Sequence, residues 1–117
     1  MAVYTKEILT GSTNGRPIEV TSVVSPGTTV HTVGATATTG RDEVHLWAFN
    51  RATTDSLIQV EWGGTASADK VMALIPPQDG PYHVIPGWAL TATSSIVYAI
   101  ATATGRLMVA GYVNRIV

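Results

Sequence analysis

The chain contains no cysteine, which removes disulfide staples, thiolate metal sites and thiol catalysis together. Charge is scarce as well: 13% of residues are charged and the formal net charge is -1. The seven basic residues, Lys6, Arg16, Arg41, Arg51, Lys70, Arg106 and Arg115, are scattered singly. No basic stripe stands ready to release counterions from a phosphate backbone, so nucleic acid is not an expected partner. Long apolar runs are missing too, against the roughly 20 residues that a membrane-spanning helix needs. The N-terminal Met1-Ala-Val-Tyr-Thr-Lys-Glu7 lacks the charged-then-apolar layout of a signal peptide. These absences predict a soluble protein made in the cytoplasm, with no membrane partner. The 117 residues leave room for one compact domain. At 45% hydrophobic residues and a mean hydropathy of +0.23 the chain is too apolar to stay disordered.

What is abundant is β-branched and turn-forming. Seventeen Thr, eleven Gly and six Pro favour strands separated by tight turns, because β-branched side chains suit a pleated surface while Gly and Pro interrupt helices. Alternation predicts strands over 18–24, 28–33, 43–50, 57–62, 71–75, 96–103 and 107–116, with shorter pieces at 82–85 and 88–91 around Pro86-Gly87. Residues 34–40 and 50–56 read as turns, and 66–70 as a single helical turn. In 43–50, Val44, Leu46 and Ala48 share one face and His45, Trp47 and Phe49 the other, the pattern of a central strand covered on both sides. Residues 57–62 read as a half-buried strand with Gln59 and Glu61 facing water. The last two strands are expected to form a hairpin across Thr104-Gly105. About eight short strands without an amphipathic helix predict an all-β, two-sheet sandwich of jelly-roll type over residues 17–117. Residues 1–16 read as an extended N-terminal arm whose Val3, Tyr4, Ile8 and Leu9 need something to bury them. Ala35-Thr-Ala-Thr-Thr-Gly-Arg41, leading to Asn50-Arg51, echoes Ala101-Thr-Ala-Thr-Gly-Arg106, leading to Asn114-Arg115; chance in a Thr- and Ala-rich chain accounts for it.

Chemistry-bearing patterns are sparse. His31, His45 and His83 lack metal-ligand spacing, apart from His45 two residues after Glu43, and the expectation is no metal and no cofactor. His31 and His45 read as polar-face strand residues and His83 as a loop residue. A glycosidase-like pair would have to come from Glu19, Asp42, Glu43, Asp55, Glu61, Asp69 and Asp79, but Glu19 and Glu61 read as solvent-facing and most others lie in turns. No serine sits in a Gly-x-Ser-x-Gly elbow, and Gly63-Gly64 lacks the Lys-Ser/Thr of a phosphate loop. The expectation is a protein that is not an enzyme. Trp47, Trp62, Trp88, Tyr82 and Tyr98 fit core or interface positions, or alternatively a sugar-stacking platform. Arg51 is expected to cap a strand end or pair with Asp55.

The segments Glu43-Val-His-Leu-Trp-Ala-Phe-Asn50-Arg51, Ile58-Gln-Val-Glu-Trp-Gly63-Gly64, Val71-Met-Ala-Leu-Ile-Pro76, Gly87-Trp-Ala-Leu90, Ile96-Val-Tyr98-Ala and Gly111-Tyr112-Val113 follow one another in this order. With them the chain, from Thr29 to Val117, resembles a family of small tailed-bacteriophage virion proteins. It departs from the family pattern before the penultimate strand, where Thr91-Ala-Thr-Ser-Ser95 stands in place of a Gly-Asp turn. The resemblance implies a β-sandwich similar to capsid decoration (cement) proteins, and to small neck, tail and fibre domains. It implies a place on the capsid surface of a virion, with the major capsid protein and copies of itself, as a dimer or trimer, for partners. The candidate assembly contacts are Val3, Tyr4, Ile8, Leu9 and Trp88. A glycan is the partner in the alternative, carbohydrate-binding reading.

Overall fold

The computed structural model describes residues 3–34, 40–91, 95–103 and 106–117. The strands are β1 (Tyr4–Ile8), β2 (Ile18–Glu19), β3 (Thr28–Thr32), β4 (Arg41–Asn50), β5 (Ser56–Trp62), β6 (Lys70–Ile75), β7 (Tyr82–Leu90), β8 (Ile96–Ala101) and β9 (Leu107–Ile116), with a 3-10 turn at Ser67–Asp69. One sheet has the order β1-β9-β4-β7, with β2 also paired to β9; the other has the order β3-β8-β5-β6. Every pairing between these strands is antiparallel: β1 and β2 with β9, β3 with β8, β4 with β7, β5 with β6, and across the sheet centres β4 with β9 and β5 with β8. All but the two pairings across the sheet centres are the rungs of one long hairpin, its tip at β5 and β6, folded over into two layers. That is the jelly-roll sandwich the strand spacing predicts.

The core lies between the layers. Val44, Leu46 and Ala48 of β4, Val109 and Val113 of β9, Ile58 and Val60 of β5, Val97 and Ala99 of β8 and Ile85 of β7 are all buried. Period-2 alternation puts every second residue of each strand inward. β4 lies between β9 and β7 with its outward side chains half-buried, as its two-sided pattern predicts.

Four local expectations need correction. The strand expected at 18–24 covers only Ile18–Glu19. After Val20, whose N–H still donates to the Leu107 carbonyl of β9 at 2.9 Å, the chain leaves that sheet, and the Ser22 carbonyl accepts from Ala101 N–H of β8 at 3.0 Å. Residues 82–90 form one strand and not two, because Gly87, at φ 98°, takes up the register shift next to Pro86 as a bulge. The final hairpin does not form: β8 and β9 lie in different sheets, since consecutive strands of the rolled hairpin alternate between layers here. Residues 104–105, its expected turn, fall outside the described residues, as do 35–39 of the expected 34–40 turn and 92–94 of the segment that departs from the family pattern. Finally, Glu61 does not face water. It is buried, accepting from Ser25 Oγ at 2.6 Å and Gly27 N–H at 2.8 Å where the loop before β3 folds over β5.

The N-terminal segment is extended, and the structure supplies what holds it. β1 runs along β9 from Tyr4 opposite Ile116 to Ile8 opposite Tyr112, and β2 continues the same edge at Ile18 opposite Val109. Val3 and Val117 exchange both backbone hydrogen bonds at 2.7 and 3.0 Å. Between the two halves, Leu9 turns into the core at 1% exposure, and Gly11 N–H donates to the Val30 carbonyl at 2.9 Å.

At the centre of the first sheet, Gly111 stands opposite Leu46. A Cβ there would overlap the His45 carbonyl oxygen, a backbone atom that cannot turn aside. Gly111→Ala is therefore expected to cost about 3 kcal/mol or more, read as a lowered urea midpoint. An unchanged midpoint would show that the β4 and β9 backbones do not approach this closely.

Candidate functional site

Two clusters of polar and aromatic side chains stand out, one sealed and one at the surface. The sealed one joins the sheets. Asp42 on β4 accepts from Arg115 Nε at 2.9 Å and Nη2 at 3.1 Å, from Gly34 N–H at 3.1 Å and from His31 Nε2 at 2.7 Å. Thr10 N–H donates to His31 Nδ1 at 3.2 Å, so the ring proton sits on Nε2, the nitrogen facing Asp42. The sequence reading placed His31 on a polar strand face. The register shift between Thr29 and His31 in β3 instead leaves both Val30 and His31 buried. His31 and Asp42 are 0% exposed, so the pair resembles an acid–base couple but offers a substrate no approach. Its role is to fasten β3 of one sheet to β4 and β9 of the other.

The surface cluster lies on the outer face of the first sheet. The odd-numbered residues of β4 point outward, and register sets His45 opposite Tyr112 of β9 and Trp47 opposite His83 of β7. The rings stack across the strands: Trp47 on His83 at 4.3 Å and 5°, His45 on Tyr112 at 4.7 Å and 15°. Lys6 of β1 extends the row, its Nζ 4.7 Å from the Tyr112 ring centre. His45 Nε2 donates to Glu43 at 3.0 Å and Asn114 Nδ2 donates to the same oxygen at 3.4 Å. These bonds hold the Glu43 carboxyl below the ordinary carboxylate range. Stacked in this way the rings cover one another's faces.

Beside the row is a groove of about 760 Å³, lined by Trp47 and Phe49, by Ala110 and Gly111 of β9, and by Gly80 and Pro81 before β7. The pairing of Trp47 with Ala110 explains it: a large side chain next to a small one leaves open space above the sheet. The lining is almost wholly apolar, with Arg51 and Gln78 among its polar members, which suits it to hold an apolar or ring-shaped group.

The residues singled out from sequence are dispersed. Trp62 and Trp88 meet edge to face at 5.7 Å and 84°, bridging the sheets, while Tyr98 lies on β8 and Tyr82 begins β7. They form no common platform with Trp47. Among the assembly candidates, Val3, Tyr4, Ile8 and Trp88 are exposed, but Leu9 is not: the core has taken it. Arg51 pairs with Glu19 at 2.8 Å and not with Asp55, and His83 belongs to a strand and not a loop. Asn50 caps the following turn, donating to the Thr54 and Ile75 carbonyls at 2.8 and 3.0 Å. Asn114 instead serves the outer face, so the two Asn-Arg pairs play unequal parts. Among the described residues no group of three or more His, Asp or Glu is placed to hold a metal ion. The row of His45, His83 and Tyr112 was missed from sequence. Alternation in β4 gave one ring of each stacked pair, and strand pairing gave the other.

Comparison with known proteins returns no match to a family model, a curated protein or a solved structure.

Burial alone would raise the Asp42 carboxyl, but the hydrogen bonds from Arg115, His31 and Gly34 and the Arg115 charge outweigh it, bringing it from 3.8 to about 2. The folded state thus holds the Asp42 proton more weakly than the unfolded one. The resulting stability, about 2 kcal/mol, is complete above about pH 4 and is lost as pH falls through about 2. Asp42→Asn removes the buried charge partner of Arg115 and leaves it only the longer, partly exposed contact to Glu7 at 3.8 Å. It is expected to cost about 3 kcal/mol near neutral pH and to flatten this part of the acid limb in urea titrations. An acid limb identical to that of the unmodified chain would rule the assignment out.

Proposed function

We propose that this protein is a structural component of a tailed-bacteriophage virion, a capsid decoration or cement protein that binds the head shell and copies of itself non-covalently. In this reading it transforms no molecule. The observation that carries it is the placement of exposed apolar surface. The large exposed hydrophobic residues are Val3, Tyr4 and Ile8 at β1, Val23 and Val24 in the loop before β3, Met72 and Leu74 on β6, Trp88 on β7, and Val117 at the C-terminus. Among the described residues none lies on β4, β5, β8 or β9, the inner strands of the two sheets. Scattered apolar side chains need no explanation, but a set confined to the sheet margins suits contact with neighbours on several sides. β1 presents its part from a strand already fixed to β9, so little ordering is required on contact. Many modest contacts to a repeated lattice add up to firm attachment, and a protein that binds only the assembled shell draws the equilibrium away from disassembly.

A second reading, a carbohydrate-binding module, is favoured by the groove beside Trp47 and Phe49. It expects glycan-array binding that Trp47→Ala abolishes.

Densitometry of purified particles of the encoding phage tests the first reading. On the order of hundreds of copies is expected for a decoration protein, and about a dozen or fewer for a neck, tail or fibre component; absence from the particle overturns both. Because Tyr4 and Ile8 are already exposed, Tyr4→Ser with Ile8→Ser should keep the fold by circular dichroism while weakening particle binding at least about tenfold.

A further inference from the structure

Four edges bound the two sheets: β1, continued by the two-residue β2, and β7 in one, β3 and β6 in the other. An edge strand presents a row of unpaired N–H and C=O groups, and folded chains commonly blunt such rows. Three of the four are blunted. β7 is bent by two register shifts and carries Pro86. β3 is shifted between Thr29 and His31 and covered by Thr10 and Gly11, whose bonds to Thr32 N–H and the Val30 carbonyl measure 2.7 and 2.9 Å. β1 carries two charges, Lys6 and Glu7, in five residues. β6 has no such device. It pairs with β5 without a register shift, contains no proline, and its one charge, Lys70, stands at its first residue. Met72 and Leu74 are 58% and 59% exposed on its outer face.

We propose that β6 is a self-association edge, pairing antiparallel with β6 of a second copy of this chain about a two-fold axis and joining two four-stranded sheets into one. A two-fold contact requires a self-complementary strand, and β6 is one. Alternation puts Lys70, Met72 and Leu74 on the outer face and Val71, Ala73 and Ile75 toward the core. An axis through Ala73 sets Met72 of each copy opposite Leu74 of the other, on the same face, as antiparallel neighbours must be. Each Lys70 then falls opposite Pro76 of the other copy. The two lysines are about 20 Å apart, beyond the screening length at physiological salt. β1 of another copy is a poorer occupant, because either face of it brings a charge, Lys6 or Glu7, into the apolar row. The inference stands on the edge alone and does not depend on what the assembled copies do.

Analytical ultracentrifugation of the full chain tests it. A short ladder buries less than the ~1,600 Å² of a standard interface. A dissociation constant on the order of 10 μM is expected, with a species of twice 12.3 kDa dominant by about 0.3 mM. Two double variants carry the specificity: Met72→Lys with Leu74→Lys, and Met72→Glu with Leu74→Glu. Both alter only exposed positions, so circular dichroism should be unchanged. Each alone should be monomeric, and an equimolar mixture should restore the dimer, since residue 72 of one copy faces residue 74 of the other. A monomeric wild-type chain at about 0.3 mM, single-sign variants that still dimerise, a mixture that stays monomeric, or an open-ended polymer would each overturn the proposal. Loss of the dimer with particle binding intact would leave the virion reading standing, and the reverse would separate them equally well.

Discussion

The register between β4 and β9 is the constraint on which the rest of this molecule depends. Ten residues of β4 pair in unbroken order with ten of β9, from Arg41 opposite Ile116 to Asn50 opposite Leu107. That one alignment sends Val44, Leu46 and Ala48 into the core beside Val109 and Val113, brings Asp42 against Arg115, stacks His45 on Tyr112 and places Trp47 opposite Ala110. A slip of one residue would exchange the two faces. It would carry the rings inward and leave the aliphatic side chains in water. The approach of the two backbones at Gly111 helps to hold the register, because a larger residue does not fit there.

Burying carboxylates in so apolar an interior is costly unless every lone pair is used. Asp42 and Glu61 are both fully buried, and both are met by donors from other parts of the chain: Asp42 by β3, β9 and Gly34, Glu61 by Ser25 and Gly27. Among the described residues no buried side-chain nitrogen or oxygen lacks a partner. A generic apolar core tolerates many packings, whereas a buried ion is satisfied in few of them. In this sandwich the two acids fix where the covering loops and the opposite sheet must lie.

The surface divides along the same architecture. On the broad outer face of the first sheet, rings stack on one another and a carboxylate is held by His45 and Asn114. The margins, in contrast, expose isolated large apolar side chains. In the proposed reading these margins are the contact area, and contact at the sides produces layers or closed pairs, according to whether the contacting patches are different or the same.

Alternation of side chains, together with Gly and Pro punctuation, was enough to read the all-β class, the two-layer sandwich, and the limits of β9 and of most of β4, β5 and β6, because these signals are local and repeat every two residues. It also showed that His45, Trp47 and Phe49 share one face. It did not show that Tyr112 and His83 complete the ring row, that Glu61 is covered, that Arg51 meets Glu19, or that the last two strands belong to different sheets. Each of these is a meeting of residues far apart in the chain, such as Glu61 with Ser25 or Asp42 with Arg115. A period of two says which way a side chain points but not what stands opposite. The opposing partner is fixed only when the long hairpin rolls over and loop closure, core packing and the pairing of buried charges are satisfied together.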